Sequence, residues 1–345
     1  MRVRYRLTKS LIMLPAMLAA VAALGQSRNL HLDNYTVPVA KKGALVGKLH
    51  DQYGVLSRRP MLEDTSGLFM ISKKGELRLR KKQSIPADAP GFQYTVTVLN
   101  GNSRERFTLV RDDFHRNKVV AHRGAFKNNA GSENSLTSLK DAIRIGCEGS
   151  EFDVWLSADG VPVLSHDPHI GGKSVEETPL AELQQIKLKN GDRVPTFEEY
   201  ILEAMKQNNT RMVLELKPSK TGRAIELTQA CYDLVRKYQC QAWMLYISFD
   251  YNICKKLVEL DPFAKVAYLN GDKSPAELKA DHIWGLDYSF KVIDKDISIL
   301  QAAKKAGVTT NIWTVNDPAD MDRYLKAGVD YLTTNEPEIL LEKVK

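Results

Sequence analysis

The chain has 345 residues, of which 43% are hydrophobic and 26% are charged, and its formal net charge is +7. This length is enough for one large hydrophobic core and a smaller second one, so we expect two domains. Four of the positive charges lie in residues 1–25, and the charge of the remainder is +3. A net charge this small does not indicate nucleic acid or an anionic membrane as the partner.

The first 25 residues have the pattern of a secretory signal. An apolar run spans 11–24, and Ala23-Leu24-Gly25 places small residues where signal peptidase cleaves. The run is preceded by four basic residues, Arg2, Arg4, Arg6 and Lys9. The alternative is a membrane anchor, but about 14 apolar residues fall short of the ~20 that span a bilayer. We therefore expect residues 1–25 to be cleaved, the protein to be periplasmic or secreted, and no stable membrane insertion.

Residues 32–111 predict a small all-β sandwich. Short alternating patterns are separated by turn residues, and no helical period persists. Two hairpins are predicted, the first joining 68–71 to 77–79 and the second joining 92–99 to 107–110.

This segment resembles a cadherin-type repeat. The similarity rests on Gly67 to Ile71, on Gly75-Glu76-Leu77 and on Tyr94 to Val98. The acidic calcium-binding stretches of that family are not visible in the sequence, so we infer no calcium site here.

From residue 117 to residue 345 the pattern changes to short apolar strands alternating with amphipathic helices. This alternation is typical of βα units, and eight such strands predict an α/β domain with a closed (β/α)₈ TIM barrel. The predicted strands are 119–122, 151–155, 212–216, 244–249, 265–269, 285–288, 309–313 and 331–333. A further run, 161–165, follows the tight turn Asp159-Gly160, which predicts an antiparallel arm that lifts His166 over the barrel mouth.

Acidic residues mark the ends of two predicted barrel strands, where TIM barrels place their active sites. Glu151 and Asp153 are two residues apart and therefore share one face, as do Glu215 and Lys217. One lysine cannot neutralise three buried carboxylates, so the pattern predicts one divalent cation. Oxygen ligands favour Mg²⁺ or Ca²⁺. A structural salt-bridge network is the alternative interpretation.

Two histidines accompany these carboxylates. His122 closes the first predicted strand, and His166 follows the antiparallel arm. A single histidine is more often a hydrogen-bonded structural residue, but two beside a metal set provide the acid and the base that transesterification or hydrolysis needs.

The barrel sequence resembles the glycerophosphodiester phosphodiesterase family along its whole length. The similar segments, in chain order, are His122-Arg123-Gly124, Glu133-Asn134, Glu151-Phe152-Asp153, 159–163, His166-Asp167, 194–199, 214–217, Ser248-Phe249, 313–316 and 328–330. Three positions depart from the family pattern: Ser132 and Ser135 stand where Pro and Thr are usual, and Asn335 stands where Asp is common.

The resemblance implies a glycerophosphodiester as substrate, with glycerol 3-phosphate and an alcohol as products. It implies roles for nine residues: metal ligation by Glu151, Asp153 and Glu215, acid and base catalysis by His122 and His166, phosphate contacts from Arg123 and Lys217, and a substrate pocket lined by Glu133 and Trp313. Glu133 could instead cap its helix and Trp313 could be core filler.

Two other functions are compatible with these features. A phospholipase acting on intact lipid would use a similar barrel, but would need an exposed apolar rim. A non-catalytic surface-binding protein would need no acid and base pair. The sequence leaves open the leaving alcohol, the choice between Ca²⁺ and Mg²⁺, the attacking hydroxyl and the oligomeric state.

Overall fold

The computed structural model describes residues 30–51, 56 and 58–345. The secretory signal predicted for residues 1–25 lies outside these residues. Among the described residues, no helix combines the length and the apolar character needed to cross a bilayer.

The N-terminal region contains two four-stranded sheets that share one hydrophobic core, which confirms the predicted all-β architecture. The strands of the first sheet, in spatial order, are β1 (Leu30–Leu32), β3 (Leu45–Asp51), β6 (Glu76–Leu79) and β5 (Phe69–Ile71). Those of the second sheet are β2 (Thr36–Val37), β8 (Ser103–Arg111), β7 (Gln93–Asn100) and β4 (Met61–Glu63). Both predicted hairpins are present, as the antiparallel pairs β5–β6 and β7–β8.

The second region is a closed parallel barrel, and each of its eight strands overlaps a predicted strand. The strands are β9 (Val119–Ala121), β10 (Gly149–Leu156), β14 (Arg211–Leu216), β15 (Met244–Ser248), β16 (Val266–Tyr268), β17 (Gly285–Ser289), β18 (Thr309–Trp313) and β19 (Tyr331–Thr334). The barrel closes because β9 pairs in parallel with both β19 and β10. The predicted TIM barrel is therefore confirmed.

The predicted antiparallel arm is also present. Strand β11 (Pro162–Leu164) pairs antiparallel with β10, and the arm continues into the short hairpin of β12 (His169–Ile170) and β13 (Lys173–Ser174). The arm folds back along the last residues of β10, so the amide of Ser165 donates to the carbonyl of Asp153 and His166 follows at the mouth of the barrel.

Helices connect the strands and cover the barrel. They are α1 (Leu136–Ile145), α2 (Leu180–Leu183), α3 (Phe197–Ala204), α4 (Ala224–Tyr238), α5 (Tyr251–Leu260), α6 (Pro275–Ala280), α7 (Phe290–Ile293), α8 (Ile299–Ala306), α9 (Pro318–Lys326) and α10 (Pro337–Lys343). Helix α1 begins at a capping box, in which the side chain of Ser135 accepts from the amide of Ser138, and ends at the left-handed Gly146.

The sandwich packs against the N-terminal ends of the barrel strands. Trp243, immediately before β15, is fully buried, meets Phe114 edge to face at 6.2 Å, and donates to the carbonyl of Gln207. Asn208 donates to Asp113, and Thr108 donates to Gln239. This packing closes the bottom of the barrel and leaves the mouth free.

Candidate active site

Three acidic side chains converge at the mouth of the barrel. The parallel register of β10 and β14 places Asp153 directly opposite Glu215, and Glu151 lies on the same face two residues earlier. One oxygen from each of the three carboxylates lies within 4.8 Å of the other two. All three side chains are buried, with exposed fractions of 2%, 1% and 7% for Glu151, Asp153 and Glu215.

Lys217 supplies one positive charge to this cluster. Its Nζ lies 2.7 Å from Asp153 Oδ1 and 2.6 Å from Glu215 Oε1. Glu151 is bound differently, since its Oε2 accepts from the backbone N–H of Arg123 at 2.8 Å. Glu151 Oε1 is buried and has no hydrogen-bond partner among the described residues.

The cluster shifts the pKa values of its carboxyl groups in opposite directions. Burial and the charges of Asp153 and Glu215 raise the pKa of Glu151 well above its usual range. Burial and the charge of Asp153 likewise raise the pKa of Glu215. Burial alone would raise the pKa of Asp153 too, but the ion pair with Lys217 outweighs it and lowers that pKa. One lysine therefore keeps Asp153 charged, but it does not offset the effects that raise the pKa values of Glu151 and Glu215.

This donor set fits a hard divalent cation. It offers three carboxylates, a free oxygen on Glu151, and less positive charge than is needed for neutrality. Ca²⁺ and Mg²⁺ prefer such oxygen ligands, and a cation here would remove the repulsion that raises two of the pKa values.

Asn134 fixes the orientation of Asp153. Its Nδ2 donates to Asp153 Oδ2 at 2.8 Å, and its Oδ1 accepts from the backbone N–H of Asp153 at 2.9 Å. Asn134 is 4% exposed and has a positive φ of 56°, a left-handed conformation that asparagine tolerates better than most residues. The reciprocal pair holds one carboxylate oxygen and leaves the other to face Lys217.

His122 is held in one tautomer by Asn335. Its Nδ1 lies 2.7 Å from Asn335 Oδ1, an oxygen that accepts only, so Nδ1 carries the proton and Nε2 is the basic atom. Nε2 faces Glu151 Oε2 at 4.0 Å. Burial and the charge of Arg123 lower the pKa of His122 to about 4, so the ring is neutral at neutral pH.

His166 is placed over the same mouth by the antiparallel arm. Its Nδ1 lies 2.8 Å from Asp167 Oδ1, and its backbone carbonyl accepts from the indole N–H of Trp155 at 3.2 Å. The side chain is 40% exposed. His166 can therefore exchange protons with solvent.

Arg123 lies between the carboxylate cluster and Glu133. Its Nη1 donates to Glu133 Oε2, and its Nε lies 3.7 Å from Asp153 Oδ2. Arg123 and Gly124 both have positive φ, and a Cβ at position 124 would collide with Ser138 at the start of α1. The glycine therefore allows the close turn that directs the Arg123 amide to Glu151.

A cleft of about 230 Å³ brings most of the predicted site residues together. Its lining includes His122, Arg123, Glu151, His166, Glu215, Lys217 and Trp313. The indole N–H of Trp313 donates to the carbonyl of Asp287 at 2.8 Å, and its ring meets Phe249 edge to face at 5.5 Å. Glu133 lines an adjoining cleft, which shares Arg123 and His166 with the first.

The sequence did not identify three polar residues of this region. Asn134 belongs to the quoted Glu133-Asn134 pair, whose asparagine was the available signal. Asn335 was noted as a departure from the family pattern, but the structure places it against His122. Asp287 lines the same cleft and is fully buried, which raises its pKa to about 7. Its lone position in an apolar strand gave no signal in the sequence.

Asn134→Ala should weaken binding of Mg²⁺ and Ca²⁺ by about tenfold to a hundredfold, because a buried ligand loses the partner that orients it. Calorimetric titration of chelator-treated protein measures this change. Asn128→Ala removes an exposed amide outside the cluster and serves as the matched control. Equal affinities for the two variants would show that Asn134 does not position a ligand.

Comparison with known proteins gives a consistent result. Residues 122–339 match the model of the glycerophosphoryl diester phosphodiesterase family. A glycerophosphodiester phosphodiesterase of Caldanaerobacter subterraneus subsp. tengcongensis is 28% identical over 246 residues, which cover 66% of this chain and 97% of that protein.

Solved structures share the barrel, as two examples show. The crystal structure of a glycerophosphodiester phosphodiesterase from Parabacteroides distasonis superposes with a TM-score of 0.64 at 38% identity, over 68% of this chain and 97% of that one. A phosphodiesterase of Oleispira antarctica, in complex with the product sn-glycerol-3-phosphate, superposes with a TM-score of 0.60 at 27% identity, over 66% and 96% of the two chains. The family model covers more than half of the residues, and the chain therefore belongs to the glycerophosphoryl diester phosphodiesterase family.

Proposed function

We propose that this protein hydrolyses glycerophosphodiesters to glycerol 3-phosphate and an alcohol. The observation that carries this proposal is the single cleft lined by two histidines, two cationic groups and two of the three clustered carboxylates. The product complex of the Oleispira antarctica phosphodiesterase supports a small glycerol phosphate ligand in a barrel of this kind.

Charged side chains around the cleft would bind the metal ion and the phosphate group. Glu151, Asp153 and Glu215 would ligate one Mg²⁺ or Ca²⁺ ion, which when bound stabilises negative charge on phosphate oxygens and promotes ionisation of a hydroxyl. Arg123 and Lys217 also face the cleft, and their fixed positive charges would stabilise the charge that develops on the phosphate in the transition state. Glu133 orients Arg123 through the hydrogen bond between their side chains.

The two histidines would divide the proton transfers. Neutral His122 presents a basic Nε2 and would accept the proton of the attacking hydroxyl. His166, on the solvent side of the cleft, would protonate the oxygen of the leaving alcohol. Each transfer is worth about 10² to 10⁴-fold in rate.

Chelation should abolish turnover, and Mg²⁺ or Ca²⁺ should restore it. Asp153→Asn is nearly isosteric but removes an anionic ligand, so it should lower kcat by at least about 10²-fold, or about 2.7 kcal/mol of transition-state stabilisation. A panel of glycerophosphodiesters with detection of glycerol 3-phosphate measures the rates and identifies the preferred alcohol.

The melting temperature distinguishes this site from a purely structural salt-bridge network. In chelator, Asp153→Asn should change stability little, because loss of one Lys217 contact is offset by weaker repulsion on Glu151 and Glu215. A structural network would instead cost about 3 to 5 kcal/mol with or without metal. A variant that melts far lower in chelator yet keeps wild-type turnover would contradict the metal assignment.

Replacement of either histidine by glutamine should lower kcat by about 10² to 10⁴-fold for an alkyl ester. The two variants should differ with a p-nitrophenyl ester of glycerol phosphate, whose leaving group needs no proton. His166→Gln should recover most of its rate on this ester, and His122→Gln should not. His169→Gln, an exposed histidine on the same arm, is the control. The reverse pattern would exchange the two roles.

The surface disfavours action on intact lipid. Among the described residues, the exposed large hydrophobic side chains are Leu45, Met61, Met70, Leu202, Ile225 and Ile297. The first three lie on the sandwich, Leu202 and Ile225 lie on helices α3 and α4, and Ile297 lies between α7 and α8; none of them lies on the arm beside the cleft. A water-soluble diester therefore suits this mouth better than a bilayer.

We also propose that the protein is exported after cleavage near Gln26, with residues 117–345 as the catalytic domain and residues 32–111 as a separate sandwich domain. The basic residues, apolar run and small residues of 1–25 support export. N-terminal sequencing of the protein from the periplasm or medium should give Gln26 or a near neighbour as the first residue. An intact Met1 there would refute cleavage.

A further inference from the structure

The active cleft has two walls of different character. One wall carries the proposed catalytic and phosphate-binding groups, which come from β9, β10, the arm and β14 or directly follow these strands. The opposite wall is formed by β15 to β18 and the residues that follow them, and its side chains include those of Ile247, Phe249, Leu269, Trp313 and Asp287. We call it the apolar wall, since four of these five side chains are apolar and the carboxyl group of Asp287 is the exception. A phosphate held by the first wall would leave an organic substituent against the apolar wall.

The side chain of Asp287 points into the barrel. Its neighbours Leu286 and Tyr288 are fully buried and pack in the main core with residues of the surrounding helices, so the residue between them faces the other side of the strand. Asp287 lies two residues before Ser289, the last residue of β17, and it lines the active cleft although only 1% of it is exposed. Its carboxyl group therefore lies at the floor of the cleft.

One oxygen of this carboxyl group lacks a hydrogen-bond donor. Asp287 Oδ1 is buried and has no hydrogen-bond partner among the described residues, and the same is true of Oδ1 of Asn311, which lies directly opposite on β18. Burial raises the pKa of Asp287 to about 7, the side chain of Asn311 partly offsets this, and no charged side chain in the described part of the chain contributes. A buried acceptor without a donor costs free energy. The groups that are missing at this wall are therefore hydrogen-bond donors.

The strand order places Asp287 far from the proposed general acid. Three strands separate β17 from β10 in either direction around the barrel, so the two strands lie on opposite sides. The arm that follows β10 carries His166, which would protonate the leaving alcohol. An adjoining cleft of about 330 Å³ also contains His166 and offers space for that alcohol on the arm side. The glycerol portion of the substrate would therefore face the apolar wall and Asp287.

We propose that Asp287 accepts a hydrogen bond from a hydroxyl group of the substrate's glycerol and thereby makes the site selective for glycerol diesters, an inference that rests on the proposed function. A hydroxyl group can both donate and accept, so it suits the carboxyl group in either protonation state, whereas an ammonium group suits only the ionised state. The apolar side chains of Ile247 and Leu269 suit the C–H groups of glycerol. A diester without these hydroxyl groups would leave the buried oxygen unpaired, which is an effective basis for discrimination.

Two p-nitrophenyl esters test the proposal, one of glycerol 3-phosphate and one of propyl phosphate, which has no hydroxyl group. The full chain should prefer the glycerol ester in kcat/KM. Asp287→Leu keeps the branching of the side chain but replaces both oxygens by methyl groups, so it should reduce this preference by about tenfold to a hundredfold. The rate on the propyl ester should not fall. Asp287→Asn keeps an acceptor oxygen and should retain most of the preference, which makes it the matched control.

Calorimetric titration with sn-glycerol 3-phosphate and with propyl phosphate gives a second readout that needs no turnover. If the full chain hydrolyses neither ester, the proposed function fails, and the ratio of these two affinities still tests Asp287. The inference is overturned if the full chain shows no preference for the glycerol compounds, or if Asp287→Leu keeps the wild-type preference. A loss confined to diesters whose leaving alcohol carries an ammonium group would also overturn it. If the melting temperature shows that Asp287→Leu does not fold, Asp287→Ala, which also lacks the acceptor, takes its place.

Discussion

Burial of three carboxylates within a few ångströms of one another is the constraint on which this molecule depends. Like charges at such distances repel strongly in a protein interior. One lysine, one asparagine and one backbone N–H bind the carboxylates and reduce this repulsion. These partners satisfy Asp153 and one oxygen of Glu151 but not the whole cluster. The remaining repulsion raises the pKa values of Glu151 and Glu215. A bound cation would reduce this repulsion.

The barrel makes this concentration of charge possible. Parallel strands in register bring side chains from sequence positions about 60 residues apart onto one face, as for Asp153 and Glu215. Apolar side chains fill the barrel interior below and beside the cluster: Val120, Val213, Leu245, Ile247, Ala267 and Leu269, of which Ile247 and Leu269 also line the active cleft. These side chains separate the charged mouth from the bottom of the barrel.

The sandwich completes the arrangement from the opposite side. It covers the N-terminal ends of the strands, where Trp243 and Phe114 join the two regions in one continuous core. The C-terminal ends of the strands, which carry the proposed catalytic residues, therefore remain open at the mouth. Arg211, at the start of β14, is also buried on this side of the barrel, where its guanidinium stacks over the ring of Phe114.

The sequence by itself determined the barrel, its eight strands and the acidic cluster, because period-two patterning and the alternation of strands with helices are local properties of the chain. It also determined the antiparallel arm, because the turn Asp159-Gly160 is too short to join parallel strands. Only the tertiary structure decided which hydrogen-bond partner each side chain of the site has. Asn134 and Asn335 are 19 and 213 residues from Asp153 and His122, and no spacing rule joins such residues. The environments of Asp287 and Arg211 likewise depend on long-range packing, because burial is a property of the folded chain and not of a sequence segment.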